Sequence, residues 1–242
     1  MCAATFNFKS YTFQTISSNN QSTSSPIFFL TQPPSLISGY AVSNFSGVNA
    51  VNVIDSRNNI FQFSETTSSG TVRSAVLPTG NYTISSILTA LGTAMTSVGT
   101  VTYTASYSTL TNLITITSTV AFNILTALNN CYYELGFATT STFATSQVAS
   151  FIYDLSGIKL IHIVSASFGT SNSVLVNKNY NIIASIPITS AFLGVINYTP
   201  NIQFTTSQIH ELSAVSFTLL DERCRVLNMS KDFTLSIYFQ FD

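Results

Sequence analysis

His162 and His210 are the two side chains of this 242-residue sequence whose ordinary pKa lies near neutrality, so acid–base or nucleophilic chemistry is sought around them first. Asp154, His162 and Ser165 supply the residue types of a hydrolytic triad, in which an acid orients an imidazole that accepts the serine proton. No G-x-S-x-G elbow accompanies them, and His162 lies inside the apolar run LIHIV, where an imidazole is expected to be a packed, hydrogen-bonded core group. His210 and Glu211 form an adjacent base–acid pair that we expect in a solvated loop. Asp221, Glu222 and Asp232 are oxygen donors that adjacent turns would have to gather to hold a hard cation. Arg223, Arg225 and Lys231 stand among them as counter-charges, so the acids are expected as turn residues. Cys2, Cys131 and Cys224 are odd in number and lack metal-like spacing, which speaks against a disulfide scaffold and a zinc site and fits synthesis in a reducing compartment. Neither G-x-x-x-x-G-K-[ST] nor G-x-G-x-x-G occurs. The expectation is a protein without catalytic, cofactor-binding or metal-binding residues, and not an enzyme.

The composition says what kind of surface such a protein has. Charged residues make up 7% of the chain, against about 25% in ordinary soluble domains, and Ser, Thr and Asn fill much of the remainder. With 19 Phe and 11 Tyr the chain is too aromatic for intrinsic disorder. A net charge of −1 provides almost no colloidal repulsion, and interface cores are poor in charge and rich in aromatics, so the composition suits life inside an assembly. The 8 Lys and Arg are spread thinly and form no basic stripe, which argues against direct nucleic-acid binding. No segment approaches about 18 consecutive apolar residues, and MCAATFNFKSYTF lacks a basic region followed by an apolar run; neither a membrane span nor a signal peptide is expected. Asn-x-Ser/Thr triplets at Asn20, Asn44, Asn81, Asn197 and Asn228 arise by chance in a chain so rich in these residues.

The elements that would position any site are strands. Residues 1–25, with extended TFNFKSYTF and the aperiodic QTISSNNQSTSS, read as an N-terminal arm and polar linker. VNVIDSRNNIFQF is expected to be a hairpin, TVTYTASY and LITITS another, and IKLIHIV, apolar on both faces, a central strand. In DFTLSIYFQF, Phe233, Leu235, Ile237, Phe239 and Phe241 alternate with Thr234, Ser236, Tyr238 and Gln240, and AVSFTLL is expected to pair with it through the turn at DERC. One segment has a helical period: Ile84, Ile87, Leu88, Leu91, Met95 and Val98, with Thr83 as N-cap. Many short strands without a βαβ rhythm predict an all-β, antiparallel sandwich of jelly-roll type with one short helical insertion. Residues 26–242 are expected to form that single domain, with the helix and a hairpin inserted at about 78–140.

Four segments taken in order, VNVIDSRNNIFQFSE, LPTGNYTISSILTALGTAM, YELGF and VSFTLLDERCRVLNMSKDFTLSIYFQF, resemble the penton and minor capsid jelly-roll proteins of large eukaryotic DNA viruses, virophages and polinton-like viruses. The motif positions are Pro78, Gly80, Asn81, Tyr82 and Thr83 in the turn that opens the helix, Leu135, Gly136 and Phe137 after a hairpin, and Asp221 in the closing turn. Thr79, inserted between Pro78 and Gly80, and DERC in place of a glycine-bearing turn depart from that pattern. The resemblance implies a structural capsid protein located in the virion and synthesised in the host cytoplasm. Most specifically it implies a penton subunit that forms homopentamers and meets the major capsid protein or other minor capsid proteins. A cementing minor capsid protein and the receptor-binding head of a spike or fibre are the alternatives.

Overall fold

The computed structural model describes residues 8–14, 27–29, 37–66, 70–125, 131–138, 140–166, 172–175, 178–201, 205–209, 214–227, 229, 231 and 233–241. Cys2, the polar tract after Gln14, His210, Glu211, Asn228 and Asp232 lie outside the described residues. The chain gathers into two compact units, Met1–Val51 with Ile158–Asp242, and Asn52–Gly157.

In the first unit β1 (Phe8–Gln14), β16 (Phe233–Phe241) and β3 (Ile37–Val48) lie side by side, so β16 is flanked on both edges. The far edge of β3 pairs with β12 (Val195–Tyr198) at one end and β13 (Thr205–Ile209) at the other. β16 keeps the expected alternation: Phe233, Leu235 and Ile237 are buried, while Thr234, Ser236 and Tyr238 are half-buried. Opposite it, β3 changes parity, because Ser236 faces Asn44 whereas Ile237 faces Val42. The extra residue, Ser43, forms a bulge, which lets Tyr40, Val42 and Phe45 all reach the core.

The second sheet of this unit runs β10 (Asn172–Leu175), β11 (Lys178–Pro187), β9 (Leu160–Val164), β15 (Thr218–Asp221). β9 is central, as two apolar faces require, and Ile161, His162 and Ile163 are all buried. Ile161, Ile163, Ile186 and Leu219 from this sheet join Phe45, Phe233, Leu235 and Ile237 from the first in one core, which makes the unit a sandwich. Phe45 and Phe233 stack at 5.4 Å. AVSFTLL does not pair with the final strand. Its first half is β14 (Ala214–Ser216), bonded to β2 (Ile27–Phe29), and its second half is β15, bonded to β9.

The second unit is a sheet ordered β5 (Val72–Val76), β4 (Ile60–Glu65), β7 (Ile114–Leu125), β6 (Tyr103–Tyr107), with β8 (Ala144–Val148) on the other edge of β7. β6 and β7 form the expected hairpin. The expected VNVI–IFQF hairpin is absent: Ile54 bridges to Gly80, and β4 pairs with β5 and β7 instead. Helix α1 (Ile84–Val98), the one α-helix among the described residues, packs on β5 and β6. It buries Ile87, Leu88, Leu91 and Met95, with Ile84 and Val98 half-buried, so the helical period matches the packed face. Gly92 is buried where a Cβ would stand 3.2 Å from the Tyr103 carbonyl, so glycine in mid-helix lets β6 approach. Ser85, Ser86, Thr89, Thr93 and Ser97 form the exposed face.

Because Leu91 is fully buried and Thr89 is exposed, Leu91→Ala is expected to destabilise the second unit by about 2–5 kcal/mol and Thr89→Ala by less than about 0.5 kcal/mol. Urea unfolding followed by circular dichroism checks both.

Candidate functional site

The nine motif positions fall in three turns, before α1, after Cys131 and at the end of β15. In the turn before α1, Gly80 exchanges two backbone hydrogen bonds with Ile54, at 2.9 and 3.1 Å. Asn81 extends the link: its Oδ1 accepts from the Val53 amide at 2.9 Å, and its amide nitrogen donates to Asn52 Oδ1 at 3.0 Å. The Tyr82 hydroxyl donates back to the Pro78 carbonyl at 2.5 Å. Thr83 then caps the helix, its hydroxyl accepting from the Ser86 amide while Ser86 Oγ accepts from the Thr83 amide. Pro78 and Thr79 are exposed, so the inserted Thr79 meets no packed neighbour that would exclude it.

Leu135, Gly136 and Phe137 form the second corner. Leu135 and Phe137 are buried in the core of the second unit, and the Phe137 ring meets Phe61 edge-on at 5.8 Å. Gly136 has φ 84°, and a Cβ there would fall 2.0 Å from the Phe151 carbonyl oxygen. Its own carbonyl accepts from the Ser150 and Phe151 amides, both at 3.0 Å. Only glycine fits both the left-handed backbone and this contact.

Asp221 is fully buried at the end of β15. Its Oδ1 accepts from the Arg223 and Arg225 amides at 2.9 and 2.8 Å, and Oδ2 pairs with Arg225 Nε at 2.7 Å. The carboxylate braces this turn, whose left-handed position, φ 58°, is taken by Cys224.

A fourth polar centre has no counterpart among the motif positions. Glu65 at the end of β4 is fully buried in the second unit and holds the far end of α1. Its Oε1 accepts from the Thr100 amide and the Tyr103 hydroxyl, both at 2.8 Å, and Oε2 accepts from Thr100 Oγ1 at 2.9 Å. Arg73 places Nε 3.0 Å from Oε2 and donates from Nη1 to the Val98 carbonyl at 2.5 Å, so one guanidinium pairs the acid and caps the negative helix end. Burial by itself raises the Glu65 pKa, but the Thr100, Tyr103 and Arg73 donors outweigh it and hold the carboxyl below its ordinary value. Tyr103 is driven the other way by its burial and by the adjacent carboxylate. In the sequence Glu65 lies in FQFSETTSSG; the usable signal is an acid ending an alternating strand in a chain with so few charges.

The residues considered for chemistry have other occupations. His162 Nδ1 lies 2.8 Å from Ser185 Oγ, and burial pushes its pKa down against the raising influence of Glu222 and Asp221. Ser165 Oγ donates to the Ser216 carbonyl at 2.6 Å, and Asp154 Oδ1 accepts from the Ser156 amide at 3.1 Å and its hydroxyl at 2.5 Å. Glu222 Oε2 accepts from the Lys159 amide at 3.3 Å. Among the described residues no three His, Cys, Asp or Glu side chains gather as a metal site requires. Cys131 is fully buried and its thiol pKa is pushed well up by that burial. No helix of the described residues is long and apolar enough to cross a membrane.

The architecture is an all-β, antiparallel jelly roll with one helix among its described residues. No protein-family model matches the sequence, and no curated protein matches it. Among solved structures it is similar to the crystal structure of the selenomethionine-labelled mavirus penton protein, with a TM-score of 0.50, 10% identity, and coverage of 97% of this chain and 99% of that one. The likeness is one of fold, and it runs nearly end to end.

Gly136→Ala is expected to cost more than about 2 kcal/mol, since the methyl group meets a backbone oxygen and the backbone is left-handed; denaturant unfolding reads it. Two acid limbs are expected in stability against pH. Glu65 binds its proton less readily folded than unfolded, so its contribution is complete above the ordinary value of 4.5 and is lost as pH falls below it. His162, also lowered, begins to withdraw stability earlier, as pH falls below 6.5. Glu65→Gln removes the lower limb and, by stranding Arg73, costs about 3–5 kcal/mol at neutral pH; thermal melts from pH 3 to pH 8 check both.

Proposed function

We propose that this chain is a structural viral capsid protein, and within that class the penton subunit that self-associates to close an icosahedral vertex. The observation that carries the reading is the near end-to-end likeness in fold to the mavirus penton protein. The sequence supports it independently. A chain with 7% charged residues leaves large apolar groups in water, among them Phe143, Phe151, Ile152, Phe192, Leu193 and Val195. Covering such groups with neighbouring subunits removes their hydration cost without burying charge. On this reading the protein works by packing: copies of itself and other capsid proteins are its partners, and the virion is its location.

A five-membered ring requires a contact in which two different flanks of the subunit meet and close on themselves. Native mass spectrometry and negative-stain imaging of the purified chain are expected to show closed pentamers. A trimer with ligand affinity would move the reading to a spike head. A monomer at every concentration that binds capsomers would move it to a cementing protein.

A further inference from the structure

The second unit contains a cleft of about 380 Å³ whose walls include Tyr133, Phe137, Phe151, Ile152 and Asp154. Backbone hydrogen bonds tie its two walls together. The Gly136 carbonyl accepts from the Ser150 and Phe151 amides at 3.0 Å, and the Asp154 amide donates to the Glu134 carbonyl at 2.8 Å. Gly136, left-handed and without a Cβ, lets the walls approach one another. The shape is therefore set by the fold and needs little ordering when a ligand enters.

Tyr133, Phe151 and Ile152 are 57%, 62% and 61% exposed, so aromatic and aliphatic surface stands in water at this cleft. Asp154, half-buried, is the one charged residue of the lining. Its Oδ1 accepts from the Ser156 amide at 3.1 Å and the Ser156 hydroxyl at 2.5 Å, which holds the carboxylate in place. A carboxylate offers about four acceptor positions and serves several donors at once. In a chain with 9 acids among 242 residues, an acid that shares a cleft with two exposed aromatic rings is a specific arrangement.

This lining selects among ligands by charge and polarity. An anion meets only a negative charge. A wholly apolar group covers Asp154 and gives it no donor in place of water. A sugar brings hydroxyls around its whole ring, whereas the polar side chains of the lining are Asp154 and Tyr133, so several hydroxyls lose their water unpaired. A cation on an aliphatic stem satisfies both parts of the lining: its head pairs with the carboxylate and lies against the rings, and its stem covers the apolar wall. A guanidinium does this best, because it is planar, weakly hydrated, stacks on aromatic faces and pairs with a carboxylate through two N–H groups. Rim residues exposed by more than half are covered only when that group arrives on a larger surface. We propose that the cleft receives an arginine side chain from the surface of a partner protein. The site belongs to the second unit alone, goes beyond the capsid reading and does not rest on it.

The test titrates the full chain with a capped tripeptide carrying arginine at its centre, followed by saturation-transfer NMR, beside the same peptide with citrulline, which keeps the shape without the charge. One side chain in an open cleft is expected to bind with a Kd of roughly a millimolar, and the citrulline peptide about tenfold more weakly. Asp154→Asn keeps an oxygen for Ser156, and it is expected to weaken the arginine peptide about tenfold and to abolish its advantage over citrulline. Phe151→Leu keeps an apolar wall and removes a ring, with an expected loss of about two- to fivefold. Circular dichroism verifies that both variants fold. Equal binding of the arginine and citrulline peptides overturns the assignment, as does arginine binding unchanged in Asp154→Asn. Absence of binding at about 50 mM peptide overturns it as well. Free arginine binding at least about tenfold more tightly than the peptide overturns the protein partner and gives the cleft to a small molecule. These measurements read the cleft in monomers and rings alike, so their failure leaves the capsid reading standing, and failure to form rings leaves the cleft standing.

Discussion

Every amide that leaves a strand without a partner strand must find another acceptor or pay desolvation, and at several element ends of this chain that acceptor is a side-chain oxygen. Asp221 satisfies two amides at the end of β15, Asn81 takes the Val53 amide before α1, and Glu65 takes the Thr100 amide after it. With 7% charged residues the chain has few ions to spend, and two of its carboxylates are fully buried as backbone ligands. These carboxylates and amides therefore sit at the corners between elements.

The two units use the same device at opposite ends of different elements. In the second unit α1 is fixed at its start by Asn81 and the Thr83–Ser86 capping box, and at its end by Glu65 and Arg73. No acid lies in its first turn and no base in its last, so the helix dipole is met from outside, by Arg73 on β5. Its hydroxyl-rich exposed face has middling helix propensity; anchoring at both ends and burial of Ile87, Leu91 and Met95 keep it helical. In the first unit the buried carboxylate of Asp221 plays the anchoring part at a strand end.

Periodicity made much of this legible. The alternation of β16, the doubly apolar β9, the β6–β7 hairpin and the period of α1 are local patterns that report one buried face, and each reappears in the structure. What local pattern does not encode is which strand lies beside which. VNVI and AVSFTLL look like hairpin partners of their sequence neighbours, yet Ile54 goes to Gly80 and Thr218–Asp221 goes to β9. The bulge at Ser43 is hidden for a related reason: the need for one extra residue in β3 arises only from the register set by β16. Of the motif positions, Thr83 is predictable from capping rules alone, whereas the requirement for Gly136 depends on Phe151 arriving from a different part of the chain.

Glu65 shows why reactive residue types are poor guides here. A buried acid beside an arginine and a tyrosine has the ingredients of a perturbed catalytic group, but all its neighbours are hydrogen-bond donors that favour the charged form, and they belong to a helix end and a strand start. A general acid needs the reverse, a carboxyl kept protonated by its surroundings. His162 and Asp221 are likewise already engaged, the imidazole with Ser185 Oγ and the carboxylate with the Arg223 and Arg225 amides of its own turn. The carboxylates of Glu65 and Asp221 point inward at backbone amides, and the exposed surface carries hydroxyl-bearing side chains along α1 and apolar ones at Phe143, Phe151 and Ile152.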